Sequence, residues 1–172
     1  MPTPRRNLEM KARYADLAVA RERVGQLDVR PGGVEVQTDT YFRAPTGRLK
    51  LRETDGRPPV LIWYDRPDRA EARASTYRLV PVPDAAEIKA LLTAALGLRG
   101  EVCKRREIYF WHNIRIHLDE VAGLGTLVEF EAVLGSGDDE ATAGVRLEHL
   151  CQLFGIAPSD HLGPSNADLL GL

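Results

Sequence analysis

Eight stretches of this chain read as strands, and in several of them apolar and polar residues alternate with period two, the pattern of strands with one apolar and one polar face. The stretches run from Asn7 to Tyr14, Val34 to Phe42, Arg48 to Glu53, Val60 to Asp65, Ser75 to Val82, Val102 to Phe110, Asn113 to Glu120 and Thr126 to Leu134. In the last, Leu127, Glu129, Glu131 and Val133 oppose Val128, Phe130 and Ala132. In the first, Glu9, Lys11 and Arg13 oppose Leu8, Met10 and Ala12.

Three segments carry helical periodicity instead. Asp16 caps a predicted helix reaching about Leu27, with Leu17, Ala20, Val24 and Leu27 as its apolar stripe. Asp84, with Glu87 three residues on, opens a second whose buried face is Ile88, Leu91, Leu92 and Ala95. Glu140 to Phe154 is the third, with Val145, Leu147, Leu150, Cys151 and Phe154 apolar. Pro31-Gly32-Gly33 reads as a break, Ala44 to Gly47 and Thr54 to Pro58 as turns, and Arg66 to Ala74 as a polar loop. The tail, with Pro158, Pro164 and Leu169-Leu170, predicts a short docked helix plus loops.

A length of 172 residues, 44% of them hydrophobic and 28% charged, suits one domain spanning 1–172. A net charge of −2 provides no global basic field for nucleic acid, so any cation cluster is local. No run approaches the roughly 18 apolar residues of a membrane span, and the basic start has no apolar segment behind it. The expectation is a cytoplasmic protein without a membrane partner, with Cys103 and Cys151 as reduced structural residues. A homodimer is compatible with this reading.

Within the strands, charges of one sign recur on one face: Arg48, Lys50 and Arg52; Lys104 and Arg106; Arg115 and His117 ahead of Asp119. Arg78 belongs to the fifth strand. Alternation alone is the ordinary pattern of a sheet with one wet face. Like charges side by side, however, destabilise a sheet by tenths of a kcal/mol to about 1 kcal/mol each, a cost that function can justify. An antiparallel sheet of about eight strands also tends to close or split. The predicted fold is α+β: an eight-stranded antiparallel closed barrel, apolar outside beneath packed helices and charged inside.

Asn7-x-Glu9-x-Lys11 is similar to the E-x-E-x-K motif that opens the CYTH superfamily, the triphosphate tunnel metalloenzymes. The run Gly47 to Glu53, the pair Lys104-x-Arg106, His117 to Gly125, and Glu129-x-Glu131 resemble its later motifs in order, so the likeness covers nearly the whole chain. The resemblance implies a tunnel, Mg²⁺ or Mn²⁺, and a small-molecule triphosphate substrate such as ATP, inorganic triphosphate or thiamine triphosphate. Family activities include class IV adenylate cyclase, thiamine triphosphatase and inorganic triphosphatase. Asn7 stands where the family usually has Glu, and Tyr64 where many members have Lys.

On this likeness Glu9, Glu129, Glu131 and Asp119 are the expected metal ligands, because Mg²⁺ takes oxygen donors and keeps several waters. Lys11, Arg13, Lys50, Arg52, Arg78, Lys104, Arg106 and Arg115 are the expected phosphate contacts, since a triphosphate of about four negative charges needs nearly matching positive charge. Lys11 and Asp119 are the expected catalytic pair. The activity expected first is ATP to cyclic AMP and pyrophosphate; a triphosphatase and a non-catalytic polyphosphate binder are the alternatives. His117 shares the inward parity, with a role left open, and Tyr41 and Tyr77 are read as core or rim.

Overall fold

The alternating stretches form eight strands: β1 (Arg5–Arg13), β2 (Arg30–Phe42), β3 (Arg48–Thr54), β4 (Arg57–Asp65), β5 (Arg73–Pro81), β6 (Leu98–Trp111), β7 (Ile114–Val121) and β8 (Gly125–Leu134). This computed structural model describes residues 4–172; Met1 to Thr3, part of the basic start, lie outside the described residues. All strand pairs are antiparallel, in the order β1-β5-β4-β3-β2-β6-β7-β8, and β1 pairs with β8 to close the barrel.

The hydrophobic core lies outside this barrel, between its wall and the helices. Leu8, Met10 and Ala12 of β1, Ile114, Ile116 and Leu118 of β7, and Val128, Phe130 and Ala132 of β8 form one buried layer. It packs against Leu17, Ala20 and Val24 of α1 (Leu17–Val24) and Leu147, Leu150 and Phe154 of α3 (Glu140–Phe154). A smaller cluster of Phe42, Leu51 and Val82 lies under α2 (Ala85–Leu96). Asp16, Asp84 and Asp139 cap the three helices by accepting backbone N–H groups of Ala18, Glu87, and Ala141 and Thr142 respectively. No helix among the described residues is long and apolar enough to cross a membrane.

Several boundaries differ from the sequence reading. The first helix stops at Val24, with Gly25 at its end, although Leu27 still packs on the core. Pro31-Gly32-Gly33 lies inside β2 as a register shift rather than a break, since a bulge accommodates a proline that cannot donate to the ladder. On α2 and α3 the stripes are narrower than predicted: Leu91 is 55% and Val145 67% exposed. Gly47 (φ +62) makes the β2–β3 turn, where a Cβ would lie 2.7 Å from Tyr64 O.

The tail closes one end of the barrel. Tyr41, Val102, Val121 and Leu127, facing inward at that end, meet Leu162, Ala167, Leu170 and Leu172. Leu162 N donates to Lys11 O at 2.8 Å, and His161 bridges to Ala12. The short helix α4 (Asn166–Leu169) is held by a reciprocal cap: Ser165 Oγ accepts from Asp168 N, and the Asp168 carboxylate accepts from Ser165 N. The barrel interior is therefore open at one end and floored at the other.

Candidate active site

Inward side chains enclose a cavity of about 450 Å³ whose lining changes character with depth. At the floor, Lys11 Nζ donates to Asn166 Oδ1 at 2.8 Å, and Arg66 Nη1 donates to Gly163 O at 2.8 Å. Arg66 Nε also lies 2.8 Å from Glu9 Oε1, and Arg73 Nη2 reaches the same oxygen from behind at 3.4 Å. Tyr64 presents its ring to three cations, with Arg48, Lys50 and Arg66 5.9, 5.6 and 6.0 Å from its centroid. Tyr64 thus gathers the neighbouring cations without adding another.

Higher up, buried Asp39 accepts from Lys50 Nζ at 2.8 Å and from Arg52 Nε and Nη2 at 2.6 and 2.7 Å, with Lys104 Nζ at 3.8 Å. Burial pushes its carboxyl upward, but Arg52, Lys50 and Lys104 outweigh that and hold it well below the usual range. Burial, with Arg52 beside it, lowers Lys50 to about 8. Lys104 is held well below the usual lysine range, by burial and by Arg106 and Arg52. Three cations around one carboxylate are not neutralised by it.

The opposite wall carries the acids. Across the β1–β8 ladder Glu9 stands opposite Glu131, and Lys11 opposite Glu129. Arg106 Nη2 reaches Glu129 Oε2 at 3.2 Å, with His117 Nδ1 3.9 Å from Oε1. Glu131 accepts from Asn7 Nδ2 at 2.5 Å and Arg115 Nη1 at 3.3 Å. Burial, then the nearby Glu129, raises Glu9 above its ordinary range. Among the described residues no three His, Cys, Asp or Glu side chains are grouped to hold a metal ion.

Of the expected site residues, Glu9, Lys11, Lys50, Arg52, Lys104, Arg106, Arg115, Glu129 and Glu131 all line this cavity. Three do not. Asp119 lies behind Arg106 with both oxygens engaged by it, Arg78 is exposed on the outer face of β5, and Arg13 is exposed at the end of β1, donating to Leu124 O at 3.4 Å. The parity of β5 is set by Arg73, Ser75, Tyr77 and Leu79, which turns Arg78 outward. The sequence reading missed Arg66, Asp39 and Asn166, and assigned Tyr41 and Tyr77 to core or rim; both tyrosines line the cavity, as does His117.

Eight Lys and Arg side chains line the cavity against four Glu, in a chain whose overall charge is −2. Such a lining favours a compact polyanion.

Comparison with solved structures shows the same fold in distant sequences. The PH1012 protein of Pyrococcus horikoshii is 20% identical, with 95% of this chain and 99% of that one covered and a TM-score of 0.83. A "putative adenylate cyclase" of Vibrio parahaemolyticus is 21% identical over 96% and 98%, TM-score 0.76. The Pct1 RNA triphosphatase of S. pombe, in complex with the Spt5 CTD, is 11% identical over 94% and 86%, TM-score 0.55. No curated protein gives a significant sequence match. The CYTH domain model matches residues 5–160, the whole barrel with α3 and the start of the tail, and the chain belongs to the CYTH family.

Proposed function

We propose that this protein is a divalent-metal-dependent enzyme acting on a nucleoside triphosphate, and that it converts ATP to cyclic AMP and pyrophosphate. The observation that carries the reading is the twofold excess of cationic over acidic side chains on the cavity lining, eight against four, deep in a barrel floored at one end. Lys11, Lys50, Arg52, Arg66, Lys104 and Arg106 neutralise the triphosphate in place of water, each through charge-assisted hydrogen bonds. Arg106, fixed by Asp119, offers a rigid planar donor; Lys50 and Lys104 offer mobile point charges.

The floor favours reaction at the phosphorus nearest the mouth. Attack on the terminal phosphorus, in line with its bridging oxygen, needs a water on the floor side, where Lys11, Asn166 and the tail close the barrel. Attack by the ribose 3′ oxygen on the α-phosphorus needs no such access. The new O–P bond forms as the α–β bridging bond breaks, pyrophosphate leaves with that electron pair, and the 3′ hydroxyl proton passes to solvent. The deep cations stabilise the charge that develops on the leaving group.

The acids on the β1–β8 wall fit a hard divalent cation. They offer oxygen donors, and burial beside Glu129 raises Glu9 above its ordinary range even with Arg66 2.8 Å away, so a further positive charge there is favourable. Mg²⁺ keeps several waters, so a preformed three-acid cage is unnecessary. Glu9, Glu129 and Glu131 would hold it, each exchanging part of a present contact, Glu9 with Arg66 and Arg73, Glu129 with Arg106 and Glu131 with Asn7 and Arg115; both oxygens of Asp119 are engaged by Arg106. Such an ion polarises phosphate oxygens and offsets their charge.

The test is incubation of the purified protein with ATP, inorganic triphosphate or thiamine triphosphate, each with Mg²⁺ or Mn²⁺, and identification of products by mass. Cyclic AMP with pyrophosphate is the expected outcome. Phosphate release from any of the three selects a triphosphatase, and binding without turnover selects a polyphosphate-binding module.

A further inference from the structure

The floor of the cavity is held from behind by a clasp of charges. Ser165 and Asn166, both buried, line the deep end. Two residues on, Asp168 Oδ1 accepts from Arg99 Nη2 at 2.5 Å, and its Oδ2 accepts from Arg48 Nη2 at 2.9 Å and from Ser165 Oγ at 2.7 Å. Arg99 Nε also donates to Leu172 O at 2.7 Å. Burial raises the Asp168 carboxyl, but Ser165 and Arg99 outweigh it and hold the group below the usual carboxylate range, so the clasp is charged at neutral pH. Arg48 begins β3 and Arg99 lies at the start of β6, so the clasp ties the tail to two strands of the barrel wall.

The tail also packs where the wall has no side chains. A Cβ at Gly100 of β6 would lie 2.8 Å from Leu172 Cδ1, and one at Gly123, in the β7–β8 turn, 2.9 Å from Leu170 Cδ2. A larger residue at either position would lift the tail from its seat. The tail's own Gly163 is as close to the loop before β5, where a Cβ would lie 2.8 Å from Asp68 O. Ala167, between the cavity-lining pair and the clasp, is fully buried. The floor is thus as closely packed as the wall that it meets.

From this construction we infer that the tail makes the cavity a dead end that selects phosphate chains with a free terminal phosphate, and that the Asp168 clasp sets this selectivity. The inference rests on the phosphate-binding reading above and deepens it. A chain ending in a free phosphate stops at Lys11, whose ammonium is directed by Asn166 Oδ1 at 2.8 Å. A chain capped by an organic group at both ends has no terminus to place there. To bring its phosphates to the deep cations it must drive one cap past Asn166, against a floor that the clasp keeps shut. A barrel open at both ends would admit either kind, so dinucleoside polyphosphates are the class that this floor rejects.

The experiment compares dissociation constants, by calorimetry on the full chain at one Mg²⁺ concentration, for ATP and for diadenosine tetraphosphate, which has similar charge but no free end. Wild type should bind ATP about a hundredfold more tightly. Asp168→Ala and, independently, Arg99→Ala release the tail and should each lower that ratio about tenfold, the capped ligand gaining affinity while ATP loses some. A general loosening of the fold would weaken both ligands alike and leave the ratio where it is. Equal affinities in wild type, or a ratio unchanged in both variants, would overturn the inference and leave the phosphate site standing. Failure of wild type to bind ATP would overturn the phosphate-binding reading, and the dead end with it.

Discussion

Arg106 meets the carboxylate of Asp119 edge to edge, Nε to Oδ1 at 2.7 Å and Nη2 to Oδ2 at 2.6 Å, with both side chains almost fully buried. The same Nη2 extends to Glu129. Asp119 therefore acts on the cavity through the orientation of Arg106. Breaking such a buried pair leaves an uncompensated charge, so Asp119→Asn should lose about 3 kcal/mol of stability. It should also weaken triphosphate binding by about tenfold as Arg106 loses its fixed direction. Denaturant unfolding and calorimetry with a triphosphate check both; full Mn²⁺ binding in this variant would separate it from a metal ligand.

Lys50 gives a pH dependence. Its folded value of about 8 lies below the ordinary lysine value of 10.5. Between the two the unfolded chain binds more protons, so this group makes stability rise with pH across that window. Triphosphate binding runs the other way, because the ligand prefers the ammonium: affinity should fall as pH rises through about 8. Lys50→Arg, charged throughout, should flatten that fall, which calorimetric titration between pH 7 and 9.5 would register.

Two arginines sit differently about the barrel wall, Arg66 just past the end of β4 and Arg78 within β5. Arg66 lines the cavity with its side chain only 3% exposed, whereas Arg78 is exposed on the outer face. Arg66→Ala should weaken triphosphate binding about tenfold to a hundredfold, the worth of one or two desolvated charge-assisted contacts. Arg78→Ala should leave it within about twofold. Triphosphate-induced melting shifts for the two variants decide the matter, since a ligand stabilises in proportion to its affinity for the folded state.

Closure of the barrel, the strand order of charges and most of the acidic and basic lining were legible because period two fixes which side chains share a face. Arg78 was expected to face inward but faces outward, because β5 carries apolar side chains on both faces, Tyr77 and Leu79 inward and Val80 outward, which leaves its phase unmarked. Arg66 was lost in the polar stretch before β5, which reads as a loop although tertiary contacts with Gly163 and Glu9 bury it. Asp39 was within reach, as Glu35, Gln37, Asp39 and Tyr41 alternate correctly, but an acid among cations reads as polar surface until its partners are known. The floor was illegible: nothing in residues 158–172 has a period, and their place depends on Tyr41, Val102, Val121 and Leu127 facing inward at one end.

That floor supplies a further test at Asn166, whose side-chain oxygen holds Lys11 Nζ at 2.8 Å. Asn166→Asp changes one atom's identity and adds one negative charge where the terminal phosphate is expected. Two unit charges about 5 Å apart interact by roughly 3 kcal/mol at an effective dielectric constant near 20. The new carboxylate would also pair with Lys11 and withdraw part of its charge from the ligand. Triphosphate affinity should therefore fall by about a hundredfold, while the ligand-free protein keeps its melting temperature or gains a little from the Lys11 pair. A neutral substitution of similar size, Asn166→Leu, should cost less in affinity and more in stability, because Lys11 would lose its acceptor in a buried place. Equal affinities for wild type and Asn166→Asp, measured by calorimetry, would mean that the phosphates do not reach the floor.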